Sequence, residues 1–291
     1  VTLWDKENGV FWDPENYDKK FKGPMTLREG LKQSRNLIAI KLADEIGPPL
    51  IRGYARNMGI STYVAPVASI GIGTSEVLLL DMVAAYCVFP NKGIHVEPTA
   101  LCKLESKDGN VVFAQESGRK REALRPPVAV IMTDMMRSVI DEPGGTGRRI
   151  RTYYRFKPET AGKTGTTNDY TDAWFIGFTP DLVAGVWVGI DDPSLRLWPR
   201  QAGSVAAMPL WAQFMKEVYL TVESYRSLSN HGFDYPETLV EHLAVCNETY
   251  QMATRFCPDQ REDLFITGEA LPSSCPLHGG VQQSGSGRIR F

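Results

Sequence analysis

Two short strings in this chain combine residue types that could bind an anion and move a proton. Lys163-Thr164-Gly165-Thr166-Thr167 sets a fixed positive charge beside several hydroxyls, a donor set suited to a carboxylate. Gly165 carries no side chain, which keeps one face of a strand low and lets a substrate lie against its backbone. Gly162-Lys163-Thr164 could also close a phosphate-binding loop, but that loop needs its first glycine at position 157, which is Lys157, and a helix afterwards. Ser34-Arg35-Asn36 places a hydroxyl and an amide between two helical stretches, where they could relay protons and hold substrate. Taken alone it reads as a helix cap, since Ser and Asn compete for backbone hydrogen bonds. A third group is Cys246, Cys257 and Cys275, clustered in a polar tail where stapling is a better explanation than core packing. Cys87 and Cys102 sit in apolar or strand-like surroundings and read as small buried hydrophobes.

The elements that must position these residues follow from pattern. Residues 1–25 read as extended or irregular. Thr26-Leu27-Arg28-Glu29 is a capping box, so a helix is predicted from Thr26. A second helix over Leu37–Ile46 ends at Gly47-Pro48-Pro49, which cannot continue it. Further helices are predicted from about Glu76 to Phe89 and from Pro127 to Ile140, the latter with proline in its first turn. Hairpin-like structure lies between them at 95–122, and Gly144-Gly145-Thr146-Gly147 breaks the chain afterwards. From Thr160 the period becomes two. Ala173–Phe178, the turn Thr179-Pro180-Asp181 and Leu182–Ile190 form a β-hairpin, with the lysine string on the edge strand before it. An amphipathic helix over Pro209–Val222 would cover this sheet. The sum is an α+β fold, an antiparallel sheet covered by helices. A domain is expected over 1–222, with an irregular cysteine-containing tail over 223–291.

Bulk properties exclude some functions. The 291 residues are 43% hydrophobic and 23% charged, close to the globular average. With 32 basic and 34 acidic residues the net charge is -2, which leaves no cationic surplus for nucleic acid. No apolar run is long enough to span a membrane. The chain opens at Val1 without an initiator methionine, which reads as a trimmed start.

Order along the chain sharpens the two weak strings. Ser-x-x-Lys, Ser-x-Asn and Lys-Thr-Gly together mark β-lactamases and penicillin-binding proteins. The chain resembles the transpeptidase domain of class A penicillin-binding proteins over about 190 residues. The matches run from Trp12-Asp13-Pro14-Glu15-Asn16-Tyr17-Asp18 and Phe21-Lys22-Gly23 through Thr26–Glu29 to Ser34-Arg35-Asn36. They continue through Ala84-Ala85-Tyr86, Asn91-Lys92-Gly93, Gly145-Thr146-Gly147 and Ala161–Thr167 to Asp172–Gly177, Trp187-Val188-Gly189 and Asp191-Asp192.

That resemblance implies a serine-type D,D-transpeptidase, in which a serine attacks a stem peptide ending in D-alanyl-D-alanine and passes the acyl group to an amine. It implies β-lactams as inhibitors and no cofactor. It also implies a parent anchored at the periplasmic or outer face of the bacterial inner membrane, with a glycosyltransferase domain. Ser34 would relay a proton, Asn36 would bond the catalytic lysine and the substrate amide, and Lys163 would bias the site. Thr164, Gly165, Thr166 and Thr167 would bind substrate, with the Thr166 N–H as half of an oxyanion hole. One part departs from the pattern. No Ser-x-x-Lys box precedes Ser34, and the string Ser117-Gly118-Arg119-Lys120 follows it in a charged, solvated stretch. The chain is therefore expected to be a fragment without its nucleophile, inactive alone. The alternatives are a D,D-carboxypeptidase or β-lactamase-like enzyme, or a non-catalytic module that binds peptide or a partner protein.

The extracytoplasmic setting bears on the cysteines. Cys246, Cys257, Cys275 and His278 can be written as a zinc ligand set, but gaps of 10 and 17 residues lack the short Cys-x-x-Cys knuckle. No His-Glu-x-x-His is present. Oxidation is favoured in that setting, so a Cys246–Cys257 disulfide is expected, with no metal and Cys275 left over.

Overall fold

The structure, a computed structural model, describes residues 2–5, 10–115, 118–167, 170–192 and 195–279. The chain divides into two units, 1–234 and 235–291. In the first, strands β1 (Leu3–Asp5) and β2 (Val10–Trp12) pair, followed by helices α1 (Leu27–Lys32), α2 (Asn36–Ile46), α3 (Pro48–Asn57) and α4 (Leu79–Cys87). Two nested antiparallel pairs come next: β3 (Ile94–Val96) with β6 (Lys120–Glu122), enclosing β4 (Lys103–Glu105) with β5 (Val111–Ala114). Helices α5 (Pro126–Asp141) and α6 (Arg149–Thr152) lead into the sheet β7 (Ala161–Thr166), β8 (Asp172–Phe178), β9 (Val183–Gly189), and α7 (Ala207–Thr221) and α8 (Glu223–Arg226) close the unit. The second unit contains the antiparallel pair β10 (Val240–Cys246) and β11 (Gln260–Ile266).

The three-stranded sheet has the order β7-β8-β9, so β7 is an edge strand. Side chains alternate across it. Phe175 faces α7, where fully buried Trp211 packs edge-on at 5.1 Å between ring centroids. Ile176 and Gly185 face α4: a side chain on Gly185 would come within 2.6 Å of Val83. Gly177 is required for the same reason on the other face, lying 2.8 Å from the Trp211 ring at the position a Cβ would take. Trp211 also donates its indole N–H to the carbonyls of Gly177 (3.2 Å) and Ala184 (3.0 Å), which pins α7 to both hairpin strands. Trp211→Ala is expected to lower stability by about 3–5 kcal/mol, as for other large buried aromatics. The urea midpoint reads this; a loss under about 1 kcal/mol would mean the core refills. The turn of the hairpin is held by buried Thr179, whose Oγ1 accepts from the Leu182 amide (3.1 Å) and bonds the Tyr219 hydroxyl (2.7 Å).

Helix α1 is fixed to α5 by buried cations. Arg28 reaches the Asp134 carboxylate at 2.5 Å, and Lys32 bonds Glu29 and, at 2.9 Å, Glu142. Burial works to lower the Lys32 pKa, but its two carboxylates outweigh it and the net shift is upward. Thr26 caps α1 by accepting from the Glu29 amide at 3.2 Å.

Several sequence expectations need correction. Gly47-Pro48-Pro49 ends α2 but also opens α3, because proline at a first helical turn gives up an amide that has no partner there anyway. Helix α4 is shorter than the predicted 76–89. The domain expected to end at 222 continues to Asp234: Tyr225 packs with Tyr219 at 5.8 Å and Phe233 with Phe178 at 5.7 Å. The tail expected to be irregular holds a seven-rung antiparallel pair. Of the Ser117–Lys120 string, Ser117 lies outside the described residues and Lys120 starts the exposed strand β6.

Candidate active site

Ser34 is the middle residue of the three-residue link (33–35) between α1 and α2, with φ +54, a left-handed conformation uncommon for a residue with a side chain. A set of hydrogen bonds holds it there. The Ser34 amide bonds the Leu31 carbonyl (3.1 Å), and the Arg35 amide bonds the Gly30 carbonyl (2.8 Å). Buried Arg35 then turns away from the site to the Asp18 carboxylate (2.8 Å) and the Lys20 carbonyl. Buried Asn16 completes the brace by donating to the Lys20 carbonyl (2.9 Å) and accepting from the Leu37 amide (3.3 Å). The Arg35 guanidinium holds the Asp18 carboxyl below its ordinary range, so the clamp survives moderate acid. Sequence reasoning gave Asn16 and Asp18 no role. Their role is to fix the backbone that aims Ser34.

Lys163 on β7 pairs with Ile176. It therefore leaves the sheet on the face turned to α4 and away from α7. Its ammonium donates to Ser34 Oγ at 2.7 Å and to the Thr164 carbonyl at 2.8 Å. Burial lowers the Lys163 pKa to about 8, and among the described residues no carboxylate opposes it. The two strings that were weak alone thus meet, although 129 residues separate them.

The rest of the lysine string is partly engaged. Thr164 Oγ1 lies 2.9 Å from Thr146 Oγ1, which ties the glycine-rich loop after α5 to the edge strand. Thr166 Oγ1 accepts from the Gly203 amide at 2.9 Å, leaving its own O–H free to donate. A side chain at Gly203 would come within 2.3 Å of the Gly165 and Trp174 carbonyls. Gly203 thus lies over β7 and β8 on the face of the Thr166 side chain, whereas a side chain on Gly165 would point to the other face and meet Trp174 at 3.0 Å. Thr167 turns to Thr171 (2.8 Å) and caps the Asp172 amide (2.9 Å). Asn36 donates to the Glu15 carbonyl at 3.1 Å, so its amide stands at the start of α2 beside the braced segment. The arrangement offers a hydroxyl bonded to an amine of lowered pKa, next to hydroxyl donors on an open strand edge. That combination can hold a carboxylate and pass a proton.

The family description "Penicillin binding protein transpeptidase domain" matches residues 2–216, a span that includes Ser34 and Lys163. The chain belongs to the penicillin-binding protein transpeptidase family. Its relatives include penicillin-binding protein 1A of Aquifex aeolicus, 37% identical over 82% of this chain and 31% of that protein. Another is penicillin-binding protein 1A of Neisseria meningitidis serogroup A, 32% identical over 90% of this chain and 32% of that protein. The chain spans about a third of the length of these relatives. Among solved structures, penicillin-binding protein 1A from Haemophilus influenzae shares the fold with a TM-score of 0.81 at 24% identity, over 94% of this chain and 44% of that one. PonA1 from Mycobacterium tuberculosis in complex with penicillin V shares it with a TM-score of 0.65 at 24% identity, over 81% and 64%. The expected α+β fold is the fold of this family.

The cysteines depart from expectation. All five are unbridged, and no disulfide joins Cys246 to Cys257. Instead Cys246, Cys257, Cys275 and His278 converge in the second unit.

Proposed function

We propose that this chain forms the acyl-transfer site of a peptidoglycan D,D-transpeptidase that β-lactams inhibit. The observation that carries the reading is the 2.7 Å hydrogen bond from Lys163 to Ser34. It joins the second and third boxes of the signature in the geometry a proton relay requires. Lys163, Thr164 and Thr166 bind the terminal carboxylate of a stem peptide. Ser34 passes a proton between the catalytic lysine and the leaving D-alanine, and Asn36 orients the substrate amide. Thr167 shapes the strand end. The nucleophile is the serine of a Ser-x-x-Lys box that this sequence does not contain ahead of Ser34. The enzyme works at the periplasmic or outer face of the bacterial inner membrane, joined to a glycosyltransferase domain and an anchor. Among the described residues no helix is long and apolar enough to cross a membrane.

The test uses the complete enzyme and two donor peptides, one with a free terminal carboxylate and one amidated. Amidation should lower the acylation rate by about 10²–10³, the usual effect of one charged or hydrogen-bonded contact in such a site. Lys163→Met should lower it similarly with the free peptide, and the two losses should not add, because each removes the same contact. Additive losses would sink the carboxylate assignment. Release of D-alanine without cross-linking would point to a carboxypeptidase. Peptide binding with no turnover would point to the non-catalytic module.

A further inference from the structure

The second unit brings together four side chains that the acyl-transfer site does not use. Strand β10 ends at Cys246, and its register with β11 sets Cys246 opposite Gln260, so the loop between them returns Cys257 to the same end. Met252 in that loop bridges to Ser274, and the Cys275 amide bonds the Met252 carbonyl at 2.8 Å. This carries Cys275 and His278 to the cluster. The three thiols and a ring nitrogen of His278 lie within 4.8 Å of one another. His278 Nδ1 stands 3.3 Å from Cys275 Sγ and 3.5 Å from Cys246 Sγ. A tetrahedral zinc bound at ~2.3 Å to sulfur and ~2.0 Å to nitrogen has ligand–ligand edges of about 3.5–3.8 Å. The cluster is close to that size already.

The surroundings fit a metal better than a bridge. A disulfide would use two of the thiols and leave a third beside an imidazole, all in a dry pocket: Cys246, Cys257 and Cys275 are 0%, 5% and 2% exposed. The outer contacts are those metal sites use. His278 Nε2 faces the Glu248 carboxylate at 3.3 Å, an acceptor for a proton on Nε2 that would leave the Nδ1 lone pair toward the sulfurs. The Thr254 amide donates to Cys257 Sγ at 3.2 Å, and Thr254 Oγ1 holds the His278 carbonyl at 2.5 Å. The unit also needs a cross-link, because a lone two-stranded pair is marginal in water.

We propose that Cys246, Cys257, Cys275 and His278 form a structural zinc(II) site that cross-links the C-terminal unit. Three thiolates and a neutral imidazole select zinc over harder cations. Loading displaces the thiol protons to solvent, so the bound site carries one net negative charge. The long gaps of 10 and 17 residues are spanned by strand pairing and by the Met252–Ser274 bridge, which makes a short knuckle unnecessary.

The experiment is metal analysis of the whole chain, made in zinc-supplied cells and purified without chelator or metal-affinity tag. The expected result is about one zinc per chain, with X-ray absorption showing three sulfurs near 2.3 Å and one nitrogen near 2.0 Å. Cys275→Ser should reduce zinc at least tenfold, whereas Cys87→Ser with Cys102→Ser should leave it unchanged. If Cys275→Ser does not fold, chelation of the wild-type chain serves instead. Stripping should speed amide exchange across 240–266 and leave β7–β9 protected. Protein exported to the periplasm should carry the same zinc. Less than about a tenth of a zinc per chain, iron in its place, or a disulfide between any two of the three cysteines would each overturn the proposal, as would exchange that does not respond to chelation.

Discussion

Incubated with a fluorescent penicillin, this chain by itself is expected to take up no covalent label. The reason lies in what Ser34 is bonded to. A serine becomes a nucleophile when an adjacent base can accept its proton. At Ser34 the neighbour is the Lys163 ammonium, donating at 2.7 Å. With a pKa near 8, roughly nine-tenths of Lys163 is protonated at neutral pH and cannot accept. On the proposed reading the Thr166 N–H would supply one donor for an oxyanion and the nucleophile's own N–H the other; one such donor is worth about 3–4 kcal/mol. Removing the nucleophile from a comparable serine enzyme costs on the order of 10⁶ in rate. Labelling should therefore stay at background over hours, and intact mass should be unchanged. Raising the pH to about 9 makes most of Lys163 neutral and sharpens the test. An adduct mapped to Ser34 under those conditions would make Ser34–Lys163 a serine–lysine dyad and remove the relay assignment. An adduct elsewhere in the chain would remove the need for an additional serine.

Much of this site was legible because its local patterns agree with the fold. The lysine string lies on an edge strand where the period changes from helical to two, and β8 and β9 fall within a residue or two of their predicted bounds. The Ser34 link was legible as a break between two helices. What the sequence could not show were contacts across long separations. Nothing local to Asn16, Asp18 or Arg35 says that they brace one another. Buried Arg35 finds its carboxylate 17 residues away, on a segment that looks irregular by itself. The true end of the first unit was hidden for the same reason, since Phe233 is held by a ring 55 positions earlier, Phe178. At the cysteines, gaps of 10 and 17 residues conceal that the side chains come together in the second unit. Short knuckles are one way to bring thiols together, and strand register is another that a linear reading does not reveal. At Pro48-Pro49 the error was to treat proline as a terminator when it also starts helices.

Replacing Lys163 by methionine should stabilise the isolated chain at neutral pH while removing the group on which the proposed relay and carboxylate contact rest. Burial lowers the Lys163 pKa from 10.5 to about 8. Each unit corresponds to 1.36 kcal/mol, so holding this charge in the folded state costs about 3 kcal/mol. The hydrogen bonds to Ser34 and the Thr164 carbonyl offset only part of the desolvation, since the net shift remains downward. The sign follows from proton counts. Below about pH 8 both states are protonated and the folded state bears the full penalty. Between about 8 and 10.5 the unfolded chain holds more protons, so wild-type stability rises with pH. Above 10.5 both states are neutral and the penalty is gone. Methionine is close in volume and does not titrate, so other groups cancel when the two proteins are compared. The stability advantage of Lys163→Met should thus be about 2–3 kcal/mol at pH 7 and shrink by about that amount by pH 10.5. Urea unfolding of both proteins at five pH values measures it. A difference that stays flat across the window would mean that Lys163 keeps an ordinary pKa. Its ammonium would then be too firmly charged to share a proton with Ser34 near neutrality, and the relay would lose its energetic basis.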